Sequence, residues 1–125
     1  MKKLAFVLLC TASLFAANIQ KKPYDEVKTA VKNPSKYSVV VLGVDYCPFC
    51  KMTSEGIQKL DTKYDAKVQF FYVNIDFDEE AKSDYAVRAT PNILFFAPGG
   101  KLLEKKIGGM NEIGFAKKLD ALGAK

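Results

Sequence analysis

The feature that most constrains the fold is an unbroken apolar run in the first half of the chain. Residues 39–42 read Val-Val-Val-Leu, within a strand predicted over residues 38–44. Consecutive β-branched residues are typical of a strand that is buried on both of its faces. Such a strand needs a layer packed over each face of its sheet, which points to helices on both sides.

Periodic patterns in the rest of the chain alternate between helix and strand. Helices are predicted over residues 24–32, 47–64, 78–85 and 111–122. Further strands are predicted over residues 68–75, 93–96 and 101–107. The second helix is predicted from Met52, Ile57 and Leu60, which share one helical face. This order predicts an α/β fold, with a central mixed β-sheet flanked by helices on both faces.

The first sixteen residues have the pattern of a secretory signal peptide. Lys2 and Lys3 precede an apolar stretch that runs to Phe15 and is short for a membrane span. We therefore expect a signal peptide over residues 1–16, a domain over residues 17–125, and a periplasmic or secreted location. An uncleaved N-terminal anchor and a lipid-modified Cys10 are the alternatives.

The charge of the chain is mildly positive, with a formal value of +5. Its basic residues are scattered along the sequence, whereas a nucleic-acid surface gathers them on one face or stripe. Two of the positive charges, Lys2 and Lys3, lie in the segment predicted to be removed. We therefore expect no nucleic-acid partner.

The chemistry of the chain is predicted to lie in Cys47-Pro48-Phe49-Cys50, between the buried strand and the second helix. Unpaired N–H groups and the dipole at a helix start stabilise a thiolate, which would make Cys47 the nucleophile. Cys50 follows three residues later on the same face, where it could resolve a mixed disulfide. A disulfide between them closes a very short loop and constrains the unfolded chain little.

A metal site and an inert structural disulfide are the other interpretations of this cysteine pair. A structural zinc needs four ligands, but the sequence has no histidine, and its third cysteine is Cys10. We therefore expect no metal and no cofactor. An inert structural disulfide, in a domain that only binds a partner, remains the alternative to a redox function.

Four segments resemble the thioredoxin family: VVVLGVDYCPFCK (39–51), FFYVNID (70–76), YAVRATPNILFF (85–96) and GGKLLEKKIGG (99–109). The resemblance implies a thioredoxin-like fold and a redox-active disulfide between Cys47 and Cys50. It also implies a cis bond between Thr90 and Pro91 that faces the cysteines. The Thr90–Pro91 loop would bind an extended substrate segment, beside Tyr46 and Phe49.

The chain also departs from thioredoxins proper. Tyr46 stands where they have tryptophan, and Pro48-Phe49 where they have Gly-Pro. Val41 and Tyr72 occupy the places of a buried acid and its lysine partner, so the usual proton acceptor for the second cysteine is missing. Asp45 or water is the suggested substitute.

With these departures, the sequence is more similar to the exported, thioredoxin-like branch of the family than to thioredoxins proper. The spacing leaves no room for the inserted helical domain of periplasmic oxidants or the dimerisation domain of isomerases. We therefore expect a minimal, monomeric protein-disulfide reductase that acts on protein thiols and disulfides. A redox partner would re-reduce it. A disulfide oxidase or isomerase is the alternative within the enzyme class.

Overall fold

The apolar run at residues 39–42 lies in the central strand of a five-stranded sheet. The computed structural model describes residues 19–124. In chain order the elements are β1 (Ile19–Lys21), α1 (Tyr24–Ala30), β2 (Tyr37–Gly43), α2 (Pro48–Gln58), a 3-10 helix (Thr62–Ala66), β3 (Val68–Asn74), α3 (Glu79–Asp84), β4 (Asn92–Phe96), β5 (Leu102–Ile107) and α4 (Glu112–Leu122). The predicted signal peptide, residues 1–16, lies outside the described residues.

The sheet is mixed, as the sequence predicted. Its strand order is β1-β3-β2-β4-β5. The strand β2 pairs in parallel with β3, which places Val41 opposite Tyr72, and antiparallel with β4, which places Val41 opposite Ile93. Because β4 runs against β2, the loop that enters β4 lies at the same sheet edge as the end of β2. The two predicted site segments therefore meet.

Helices cover both faces of the sheet, and the side chains of β2 alternate between them. Val39 and Val41 belong to the core layer that also contains residues of α2 and α4. Val40 and Leu42 belong to the opposite layer, with residues of α1 and α3. Each of these four side chains is at most 1% exposed. The predicted strand buried on both faces is confirmed.

The predicted helix over residues 47–64 is too long. The helix α2 ends at Gln58, and a separate 3-10 helix begins at Thr62. The carboxylate of Asp61 accepts a hydrogen bond of 2.9 Å from the Lys63 N–H, so this residue caps the new turn. Leu60 and Ile57 are buried as predicted, whereas Met52 is 38% exposed.

The edge strand β1 was not predicted from the sequence. It contains three residues, and Ile19 lies opposite Phe70 in the parallel pairing with β3. A segment of this length contains too few residues to show a strand period. Between Ile19 and Ala124, no helix is both long and apolar enough to cross a membrane.

Candidate active site

The cysteine pair lies where the buried strand β2 leads into α2. Cys47 is the N-cap of the helix, with extended backbone angles of φ −104° and ψ 111°, and Pro48 occupies the first turn. The Cys50 N–H donates a hydrogen bond of 3.2 Å to the Cys47 sulfur. First-turn N–H groups have no partner within the helix, so the sulfur satisfies one of them at the positive end of the dipole.

Cys47 and Cys50 form a disulfide, with their Cα atoms 5.2 Å apart. The two cysteines differ sharply in accessibility. Cys47 is partly exposed, whereas Cys50 is buried, with 1% of its surface accessible. An incoming molecule can therefore reach the Cys47 sulfur. The buried Cys50 sulfur can react only with Cys47.

The loop before β4 faces the accessible sulfur. The Thr90 hydroxyl lies 3.5 Å from the Cys47 Sγ atom, toward which it can donate a hydrogen bond. The Thr90 carbonyl oxygen lies 3.7 Å from the same sulfur. The Thr90–Pro91 peptide bond is cis, and Pro91 is buried. The structure thus brings together the two segments that the sequence singled out, although 43 residues separate Cys47 from Thr90.

Two aromatic side chains project from the loop and the helix start beside the disulfide. Tyr46 is 78% exposed and Phe49 is 63% exposed. Neither side chain packs into the core, so they offer apolar surface that another molecule could cover. Both were predicted as binding residues from their positions next to the cysteines.

A third segment of the site was not predicted as functional. The Thr53 hydroxyl donates a hydrogen bond of 2.7 Å to the Phe49 carbonyl and accepts one of 3.1 Å from the Met110 N–H. A Cβ atom on Gly109 would lie 3.3 Å from the Phe49 carbonyl oxygen and 2.7 Å from the Met52 methyl carbon. The loop before α4 therefore packs closely on the first turn of α2. In the sequence, the glycine pair Gly108-Gly109 was the one sign that the backbone of this loop lies close to another segment.

Comparison with known proteins decides the family. The family model described as Thioredoxin matches residues 17–121. The chain belongs to the thioredoxin family. Thioredoxins are thiol-disulfide oxidoreductases, and a cysteine pair joined as a disulfide is present at the helix start. The chain is therefore a thiol-disulfide oxidoreductase.

Individual thioredoxins agree with this assignment. The chain is 28% identical over 90 residues to thioredoxin 2 of Chlorobaculum tepidum, which covers 72% of this chain and 82% of that protein. It is 28% identical over 97 residues to a thioredoxin of Acidithiobacillus ferridurans, covering 78% and 89%. The solved structure of Malassezia sympodialis thioredoxin superposes with a TM-score of 0.67 at 27% identity, covering 87% and 91%.

The region behind Cys50 differs from thioredoxins proper as the sequence indicated. Val41 faces Tyr72 across the β2–β3 pair. The Tyr72 hydroxyl donates a hydrogen bond of 3.1 Å to the Val44 carbonyl. Burial, together with the negative charges of Asp45 and Asp76, raises the pKa of Tyr72 to about 12. A protonated phenol therefore lies at the position that corresponds to the lysine of thioredoxins proper.

Asp45, the suggested proton acceptor, lies at the edge of this region. Its side chain is exposed, and with Tyr72 it lines a cavity of about 510 Å³ at the end of β3. The charge of Asp45 contributes to the raised pKa of Tyr72, and its side chain is open to water. Within residues 19–124, no group of three or more histidine, cysteine or acidic side chains is arranged to hold a metal ion.

Proposed function

We propose that this member of the thioredoxin family is an exported protein-disulfide reductase. The observation that carries the proposal is the unequal accessibility of the pair, with a partly exposed Cys47 at a helix start and a buried Cys50 behind it. The curated relatives named above are thioredoxins, which supports this direction of electron flow. The substrates are protein disulfides, and a separate redox partner re-reduces the pair.

The reaction follows from the two positions. In the reduced enzyme the Cys47 thiolate attacks one sulfur of a substrate disulfide, and the other substrate sulfur leaves with the electron pair and takes a proton. Cys50 then loses its proton and attacks Cys47. This second step forms the Cys47–Cys50 disulfide and releases the substrate as a dithiol, so two electrons have passed to the substrate.

The surface around Cys47 would hold the substrate in an extended form. The backbone of Thr90 faces the sulfur, and Pro91 has no N–H of its own that would need a partner. An extended segment can pair with such a loop backbone, as peptides pair with an open strand edge. Tyr46 and Phe49, which are exposed and adjacent to the cysteines in sequence, supply apolar contact. Recognition of this kind depends on the extended shape of the substrate more than on its sequence. It would therefore allow many different protein substrates.

Insulin-disulfide reduction with two cysteine variants tests the proposal. We expect Cys47→Ser to abolish activity, and Cys50→Ser to accumulate a mixed disulfide with substrate because nothing resolves it. The matched control is Ser54→Ala, a small change on the same helix that leaves both sulfurs in place. Insulin reduction that is unchanged in Cys47→Ser would reject Cys47 as the nucleophile and, with it, the proposed reaction.

The location of the enzyme is a separate part of the proposal. The match to the family model begins at residue 17, directly after the segment proposed as a signal peptide. Expression of the full chain in a bacterial host, with N-terminal sequencing of the periplasmic protein, tests it. A mature N-terminus near residue 17 would support export. Full-length protein in the cytoplasm would refute it, and full-length protein in the membrane would indicate an uncleaved anchor.

A further inference from the structure

We propose that the Tyr72 hydroxyl donates a hydrogen bond to the Cys50 thiolate when the mixed disulfide is resolved. The inference rests on the proposed function, in which Cys50 is the resolving cysteine. It assigns a task in the reaction to a residue that stands where thioredoxins proper have a lysine.

The first supporting observation is the packing around Gly43, the last residue of β2. A Cβ atom at this position would lie 2.5 Å from the Tyr72 hydroxyl oxygen and 2.9 Å from the Cys50 sulfur. Both atoms therefore occupy the space that any side chain at residue 43 would need. The glycine lets the phenol of β3 and the sulfur of α2 lie side by side.

The second observation is the environment of Cys50. Its side chain is 1% exposed and belongs to an apolar core layer with Ile57, Phe70 and Ile93. A charged sulfur buried in such surroundings is costly unless a hydrogen-bond donor stabilises it. The phenol of Tyr72 is a neighbouring group that can donate.

Tyr72 is suited to donate because it keeps its proton at neutral pH. Its pKa is raised to about 12 by burial and by the charges of Asp45 and Asp76. The facing groups on other elements are few: the Lys21 ammonium lies 5.9 Å from the ring centre, and Lys22 and Asp78 line the same cavity. The phenol therefore stays neutral while Cys50 ionises beside it.

The step needs only a change of hydrogen-bond partner. In the oxidised protein the Tyr72 O–H points to the Val44 carbonyl. In the mixed disulfide the Cys50 thiol gives up its proton to solvent, and the phenol O–H turns to the resulting thiolate. The thiolate then attacks Cys47, the bond from Cys47 to the substrate breaks, and the substrate sulfur leaves with the electron pair. The phenol returns to Val44.

The matched pair of variants is Tyr72→Phe and Tyr64→Phe. Tyr64 is also a buried tyrosine, and its hydroxyl donates a bond of 2.9 Å to Asp120, near the end of α4. In the reduced full-length protein, NMR of ¹³Cβ-labelled cysteine reports the pKa of Cys50. We expect a higher pKa of Cys50 in Tyr72→Phe than in the wild type, and no change in Tyr64→Phe. Equal pKa values of Cys50 in all three proteins would overturn the proposal.

Single-turnover release of substrate from the mixed disulfide gives the kinetic readout. We expect Tyr72→Phe to slow this release about tenfold near neutral pH, the effect of losing one hydrogen bond to a charged group. The difference should shrink at higher pH, where Cys50 ionises without help. A uniform slowing at every pH would indicate a merely structural effect and would contradict the proposal.

A measurement on the unaltered protein covers the case in which Tyr72→Phe does not fold. The ¹³Cζ signal of Tyr72 should move as Cys50 titrates in the reduced protein and stay constant over that range in the oxidised protein. A ¹³Cζ signal that stays constant while Cys50 titrates in the reduced protein would reject the proposal. Because this readout needs no substrate, a failure to reduce insulin would refute the proposed function without deciding the role of Tyr72.

Discussion

The Thr90 hydroxyl lies 3.5 Å from the sulfur of Cys47. The contact joins two segments that are distant in sequence, and it follows from the antiparallel pairing of β2 with β4. Leu42, near the end of β2, lies opposite Asn92, at the start of β4. The residues just beyond these two ends are therefore neighbours in space, and they supply the nucleophile and the loop that faces it.

Removing the Thr90 hydroxyl should weaken the enzyme without changing its fold. Thr90→Val keeps the shape of the side chain but leaves the Cys47 thiolate without this donor. We expect kcat/KM for insulin reduction to fall about fivefold to tenfold, the effect of about 1 kcal/mol from one hydrogen bond. The control Thr90→Ser keeps the hydroxyl and should stay near the wild type. Equal loss in both variants would contradict a role for the hydroxyl.

Thr53 should be important for stability as well as for the site. Thr53→Val removes a fully buried hydroxyl and leaves the Met110 N–H without its acceptor. We expect the free energy of unfolding to fall by about 1–3 kcal/mol, the cost of an unsatisfied buried group. Denaturant unfolding measures this, with Ser54→Ala on the same helix as the control. Thr53→Val as stable as that control would show that the bridge between α2 and the loop before α4 contributes nothing.

Gly56 should not tolerate a side chain, although it lies in a helix. A Cβ atom there would lie 2.9 Å from the Glu112 backbone nitrogen and 3.0 Å from the Asn111 carbonyl carbon. Alanine favours helices by about 1 kcal/mol over glycine, but forcing α2 and α4 apart costs about 1–3 kcal/mol. We expect Gly56→Ala to lower the unfolding midpoint in a thermal melt. A raised midpoint would mean that helix propensity outweighs the close contact.

Alkaline pH should destabilise the protein through its buried tyrosines. The pKa values of Tyr24, Tyr64 and Tyr72 are raised above the ordinary value of 10.0, mainly by burial and also by nearby acidic groups. The pKa of Tyr72 is raised to about 12. The folded state then holds protons that the unfolded state loses. For Tyr72 this contribution to stability is complete below pH 10 and is lost as the pH rises through about 12.

Urea unfolding of the oxidised protein at several pH values checks this expectation. The free energy of unfolding should fall more steeply above pH 10 in the wild type than in Tyr72→Phe, because the variant lacks one of the raised groups. Parallel curves for the two proteins would show that Tyr72 titrates alike in the folded and unfolded states.

The sequence contained enough to predict the strands β2 to β5 and the cysteine site, because those signals are local. Four consecutive apolar residues mark β2, and the cysteine pair directly follows it and opens α2. The last helix was predicted to begin at Asn111, and this residue is its N-cap: its side chain accepts a hydrogen bond of 2.9 Å from the Gly114 N–H. The family resemblance added the loop at Thr90.

The features that could not be predicted depend on contacts between distant residues. Nothing local to Gly43 indicates that it makes room for Tyr72, and Thr53 resembles any helical threonine until Met110 packs against it. The end of α2 was missed because the side chain of Asp61, which starts a new turn, also fits a continuing helix. The tertiary structure decides each of these cases.

The reduction potential of the Cys47–Cys50 pair tests the proposed reductase most directly. The full-length protein would be equilibrated with dithiothreitol and glutathione buffers, and its oxidised fraction read by mass spectrometry after alkylation. We expect a value near the potential of thioredoxin, about −270 mV, from which electrons flow to protein disulfides of higher potential. A value near about −120 mV, that of a strong oxidant, would reverse the direction of electron flow and contradict the proposed function.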